Sequence, residues 1–188
     1  TTTEAGGTAT FSVVLNSKPS ADVTIPVSSS NTGEGTVSTS LLTFTTTNWN
    51  APQVVTVTGV DDAAQDGNKP YTIVLGATSS TDTGYAGVDP TDVEVTNTDN
   101  DTAGITLTPL QGLTTTEGGQ TATFTIVLNT PPSANVTIAL TSSDETEGTV
   151  EPATVTFTPS NWSSPQTITV TGVNDALIDG AQSYSILT

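Results

Sequence analysis

The chain has 188 residues and a mass of 19.0 kDa, room for one or two domains. Nineteen acidic side chains face only Lys18 and Lys69, with no His and no Cys, for a formal charge of −17. Such a chain is repelled by nucleic acid and anionic lipid, forms no disulfide, and lacks every nucleophile–histidine and metal–histidine arrangement.

Along the chain, apolar side chains recur with a period of two. Ala9, Phe11, Val13 and Leu15 alternate with Thr10, Ser12, Val14 and Asn16. Val23, Ile25 and Val27 follow, then Leu42 and Phe44, Val55 and Val57, Tyr71, Ile73 and Leu75, and Val93 and Val95. This is the pattern of half-buried β-strands, and β-branched residues suit their pleated surface. Stretches rich in Gly, Asn, Asp, Ser and Pro separate them, at residues 16–22, 28–35, 45–52, 61–70 and 76–90. A further strand opens at Ile105. No run approaches the ~18 apolar residues of a membrane-spanning helix, so no membrane insertion is expected.

The pattern then repeats. Thr3-Glu4-Ala5-Gly6 recurs as Thr116-Glu117-Gly118-Gly119, Asn48-Trp49 as Asn161-Trp162, and Val57-Thr58-Gly59-Val60 as Val170-Thr171-Gly172-Val173. The offset is a constant 113 residues, without a gap from residues 1–75 against 114–188. About seven short strands per copy predict an all-β chain of tandem Ig-like antiparallel β-sandwiches, head to tail. The expected domains are residues 1–103, lacking a first strand, and 104–188, lacking the C-terminal strand or strands. Because missing strands expose edge and core, the chain is expected to be a section of a longer array, or a subunit whose gaps neighbours fill.

If consecutive strands alternate in direction, the acids fall into place. Glu4, Glu34, Asp61, Asp62, Asp66, Asp99 and Asp101 gather at one pole of the first copy. Glu117, Asp144, Glu145, Glu147, Asn174, Asp175 and Asp179 occupy the matching places in the second. Two like charges ~4 Å apart repel by roughly 4 kcal/mol at an effective dielectric near 20. A pole of carboxylates without a basic partner therefore needs a cation. Ca²⁺ fits, since it takes six to eight oxygen ligands in flexible geometry, whereas Zn²⁺ prefers His and Cys. An ion held by Asp99, Asp101 and the acids of residues 61–66 would stiffen the junction between copies. Asp82, Asp89 and Asp92 fall at the other pole and read as plain surface. Trp49 and Trp162 read as core caps or junction contacts before sugar platforms.

Asp61-Asp62, then Asp66, then the alternating Tyr71, Ile73 and Leu75 resemble a segment of Calx-β domains. Leu42-Thr43-Phe44 with Val55-Thr56-Val57, the early Glu4, Glu34 and the trailing Asp99-Asn100-Asp101 resemble other parts of that family. The resemblance implies a Ca²⁺-binding β-sandwich of the type found in exchangers, integrin β4 and bacterial surface proteins. Asn68 and Lys69, and Ala181 and Gln182 in the second copy, stand where the family has further acids, and its Gly-x-Asp-Tyr motif is absent. Fewer ions per site, or weaker binding, is expected.

The functional expectation is a non-catalytic, Ca²⁺-binding structural repeat of an extracellular stalk, filament or surface fibre, its partners being neighbouring repeats or subunits. The alternative is an adhesin module that binds a cell-surface receptor or polysaccharide.

Overall fold

The computed structural model describes residues 1–174, 177–178 and 180–188. Among them the secondary structure is all-β, with seventeen strands. They divide between two compact units, Thr1–Asp101 and Thr102–Thr188.

The first unit is an antiparallel β-sandwich. One sheet runs β1 (Thr2–Thr3), β9 (Val93–Thr98), β7 (Lys69–Leu75), β3 (Val23–Ser29), β5 (Leu41–Phe44), with β8 (Ser79–Ser80) also paired to β3. The other runs β2 (Thr8–Val13), β6 (Gln53–Gly59), β4 (Gly35–Val37). All pairs are antiparallel except β1, which lies parallel on β9. The predicted inward positions are the core: Val23, Ile25, Phe44, Val55, Val57 and Ile73 are at most 2 % exposed. Each lies on the inward phase of its strand, so alternation in sequence becomes one apolar layer between two sheets.

Three short strands were not legible in the alternation: β1, β4 and β8. β4 and β5 are three residues apart but pair with different sheets, β4 with β6 and β5 with β3. The backbone crosses over at residues 38–40, where the Ser38 N–H donates to the Thr56 carbonyl and the Val27 N–H to that of Ser40. A strand too short to show a period leaves no signal in an apolar count.

The second unit has a four-stranded sheet, β10 (Ile105–Thr108), β11 (Thr121–Leu128), β16 (Gln166–Gly172), β14 (Gly148–Glu151). Facing it are the pairs β12 (Val136–Ala139) with β15 (Thr154–Phe157), and β13 (Thr141–Ser142) with β17 (Ile186–Leu187). Ile126, Leu140, Phe157 and Ile168 form its core. Here β10 covers the edge of β11, and Phe124 is buried. In the first unit β2 pairs with β6 alone, and the matching Phe11 is half-buried.

Candidate metal centre

Five strand termini meet at one end of the first sandwich, and each carries acids. Glu4 follows β1, Glu34 precedes β4, Asp61 and Asp62 follow β6, Asp66 precedes β7, and Asp99 and Asp101 follow β9. Backbone hydrogen bonds tie these termini together. The Glu4 N–H donates to the Thr98 carbonyl at 3.1 Å and the Val60 N–H to that of Glu34 at 3.0 Å. Gly35 and Gly59 allow the close approach: a Cβ at Gly35 would overlap the Tyr71 ring, and one at Gly59 the Thr3 carbonyl and the Asn97 amide.

The carboxylates form two adjoining groups. Oxygens of Glu4, Asp99 and Asp101 lie within 4.8 Å of one another, as do oxygens of Glu34, Asp62 and Asp66. Glu4 is 2 % exposed and Glu34 8 %, which is unusual for carboxylates unless they are partnered. Some partners are backbone and amide donors. The Asn100 N–H donates to Glu4 Oε2 at 3.0 Å, the Asn100 side chain to Asp61 Oδ1 at 3.3 Å, and the Ala64 N–H to Asp62 Oδ1 at 2.7 Å. Asp99 accepts from the N–H groups of Gly67 at 2.6 Å and Asp101 at 2.8 Å. Oδ2 of Asp101, by contrast, is buried with no hydrogen-bond partner. A buried carboxylate oxygen without a donor is costly, and a cation would satisfy it.

The pole does hold one basic side chain, which corrects the expectation of none. Lys69 Nζ lies 3.1 Å from Asp66 Oδ2, three residues away on the rim. A pair this exposed neutralises one carboxylate locally and contributes little to stability.

Electrostatics divide the acids. Burial raises the Glu4 pKa above the ordinary 4.5, against the Asn100 N–H, with Asp99, Asp62 and Asp101 adding repulsion. Asp101 is raised above 3.8 by desolvation first, then by Asp99, Asp61, Asp62 and Asp66. Asp99 is lowered by the N–H groups of Asp101 and Gly67. For Glu4 and Asp101 the folded state holds protons that the unfolded chain has released, so metal-free stability falls as pH rises through their raised values. For Asp99 the sign reverses, and its contribution is lost as pH falls through its lowered value. The chelated protein should therefore melt highest in mild acid and lower at neutral pH. Calorimetry in EDTA from about pH 4 to pH 8 checks this, and a melting temperature that climbs steadily to neutrality would refute it.

Asn97 escaped the sequence reading. It continues the inward phase of Val93 and Val95 and is 1 % exposed. Its side-chain amide donates to the Val60 carbonyl at 2.9 Å and to Glu34 Oε2 at 3.4 Å, and its Oδ1 accepts from Thr2 Oγ1 at 2.9 Å. The available signal was an amide at the third inward position of a strand, beside an acidic turn.

The second unit is not a replica. Glu117 and Glu147 border one small cavity of ≈ 160 Å³, but Glu117 is exposed where Glu4 is buried. Asn174 is exposed, and Asp175 and Asp179 lie outside the described residues. Among the described residues Asp144 joins no acidic cluster: its Oδ1 accepts from the Thr146 hydroxyl at 2.6 Å and the Thr146 N–H at 3.0 Å, which lowers its pKa. The equivalent Asn31 makes the same local turn with Gly33, so Asp144 serves that turn.

Asp82 and Asp92, which the sequence places on plain surface, hold loop backbone in the structure. Asp82 accepts from the Ser20 N–H at 2.6 Å and the Gly84 N–H at 2.8 Å, fastening two loops together. Asp92 accepts from the Leu75 N–H at 2.9 Å and so closes the end of β7. Trp49 and Trp162 pack, half-buried, against the two cores.

No family model matches the sequence, and no curated protein matches it. Among solved structures the chain is similar to CBD12 from CALX1.2, at 14 % identity and a TM-score of 0.42, covering 91 % of this chain and 71 % of that one. It is similar also to the calcium binding domain CBD12 of CALX1.1, at 18 % identity and a TM-score of 0.38, covering 93 % and 72 %. Likeness this weak assigns neither family nor ligand.

Proposed function

We propose that the chain is a non-catalytic Ca²⁺-binding module of the Calx-β type, serving as a structural repeat in an extracellular stalk, filament or surface fibre. The observation that carries this reading is the meeting of seven carboxylates at five strand ends, two of them buried, with one lysine on the rim. Carboxylates in such number, with backbone carbonyls nearby, form the hard, oxygen-rich, adaptable shell that Ca²⁺ takes. Glu4, Asp99 and Asp101 hold one ion, and Glu34, Asp62 and Asp66 a second or a shared one. Asp99 and Asp101 lie at the end of the first unit, where the chain passes to the second. An ion there stiffens a segment that would otherwise behave as a linker. The natural partners are then neighbouring repeats or subunits of the same kind.

The test is a comparison of two aspartates by Ca²⁺ titration calorimetry. Asp62→Ala removes a ligand and should weaken Ca²⁺ binding by at least ~10-fold, the loss that outer-shell changes alone cause. Asp82→Ala should leave the affinity unchanged while lowering the melting temperature, because it cuts the bonds to Ser20 and Gly84. Equal losses of affinity, or none in either variant, would sink the assignment.

A further inference from the structure

Each unit has a sheet edge that carries neither charge nor proline. Among the described residues β5 pairs with β3 alone and β15 with β12 alone. β10 lies on β11, and β9 lies between β7 and β1, so neither reaches this edge. Natural edges are blunted by charged side chains, by proline or by a covering element. Residues 35–60 contain no charged side chain, and residues 148–173 contain only Glu151. Neither β5 (Leu41–Phe44) nor β15 (Thr154–Phe157) contains proline. Uncharged, β-forming segments of this kind pair readily with copies of themselves.

The backbone groups that face away from the sheet are nevertheless occupied. The Val27 N–H donates to the Ser40 carbonyl, which sets the phase of the β3–β5 pair. Bonded and non-bonded positions alternate along an antiparallel pair, so Leu42 and Phe44 bond to β3 while Leu41 and Thr43 turn their backbone groups outward. The Thr43 carbonyl accepts from the side-chain amides of Gln53 at 2.7 Å and Asn48 at 3.4 Å. The Thr45 N–H donates to Asn48 Oδ1 at 2.6 Å. The Thr39 hydroxyl donates to the Leu41 carbonyl at 2.9 Å and accepts from the Leu41 N–H at 3.3 Å. The second unit repeats the arrangement at Thr156, whose carbonyl accepts from Gln166 at 3.2 Å and Asn161 at 3.4 Å. There the Thr158 N–H donates to Asn161 Oδ1 at 2.6 Å.

We propose that Asn48 with Gln53, and Asn161 with Gln166, are edge locks that keep a second copy of this chain from adding its own β5 or β15 alongside. An incoming strand needs the outward carbonyl of Thr43 or Thr156 and the N–H of Thr45 or Thr158. Each lock supplies those groups with side-chain partners from the same unit. The edge can therefore stay free of charge, and pairing with like units is blocked by hydrogen bonds already made. The net charge of −17 keeps whole chains apart at low salt, but it does not reside on these strands.

The experiment compares the full 188-residue chain with a variant carrying Asn48→Ala, Gln53→Ala, Asn161→Ala and Gln166→Ala. Sedimentation is followed over a range of concentrations in EDTA, so that no ion bridges the acids. About 1 M salt is present, which shortens the screening length to roughly 3 Å. The parent should stay monomeric. The variant should self-associate at least ~10-fold more tightly, because each freed carbonyl gains a backbone donor from another chain. Hydrogen exchange of the associated form should slow at residues 41–45 and 154–158. Adding Thr43→Pro and Thr156→Pro to the variant removes an outward N–H without touching a bond to β3 or β12, and should restore the monomer. Association that arises from misfolding would not be reversed by proline. Equal association of parent and variant, protection confined to other residues, or association that proline leaves unchanged would each overturn the proposal.

Discussion

Saturating Ca²⁺ should raise the melting temperature of the first unit by roughly 10–20 °C over the chelated protein, the shift given by an ion at about 100 times its dissociation constant. Without an ion, the fold gathers the acids while offering one lysine, and that lysine is spent on Asp66 at the rim. Glu4 and Glu34 are taken out of water, and Asp101 Oδ2 is buried with no donor. Each is a cost the unfolded chain does not bear. An ion binds only where strand ends have brought these groups together, so its binding free energy adds to folding. Mg²⁺ at the same concentration should give a smaller shift, since two adjoining clusters of uneven burial suit a flexible coordination shell better than an octahedral one. Differential scanning calorimetry with EDTA, Ca²⁺ and Mg²⁺ checks both statements. An unchanged melting temperature on adding Ca²⁺ counts decisively against the metal centre.

The convergence of these acids was legible because it needed only strand direction. An apolar period of two identifies each strand, successive strands reverse, and the acids at alternate strand ends then share a pole. Strand direction alone brings Glu4, Glu34, Asp61, Asp62, Asp66, Asp99 and Asp101 to that pole. What the period does not encode was missed. β1 is two residues long, and β4 and β5, close in sequence, pair with different sheets, which a count of apolar side chains does not reveal. Glu117 matches Glu4 in sequence, yet Glu117 is exposed whereas Glu4 is buried and accepts from the Asn100 N–H. Asp82, Asp92 and Asp144 show another limit: whether a loop carboxylate is solvated, caps a turn or fastens two loops is decided by where backbone N–H groups point.

Asn97→Ala should be the most damaging single substitution near the pole, costing about 2–4 kcal/mol, because each buried group left without a partner costs roughly 1–3 kcal/mol. The Val60 carbonyl loses its 2.9 Å donor, and Thr2 loses the acceptor that holds it at 1 % exposure. Glu34 loses the one amide donor that faces it from β9. Asn100→Ala, which removes an exposed side chain bonded to Asp61, should cost far less. Asn97→Asp separates the polar role from the packing role, since it keeps the shape while placing a second carboxylate against Glu34 Oε2. Repulsion at that range is on the order of several kcal/mol in a partly desolvated site. The aspartate variant should thus be less stable than the alanine variant at neutral pH in EDTA. It should recover as pH falls, because protonation removes the repulsion and restores a donor. Urea denaturation of the three variants at two pH values reads this order directly. If the aspartate variant matches the alanine variant at both, Asn97 acts by filling space, and its amide does not set the charge balance of the buried acids.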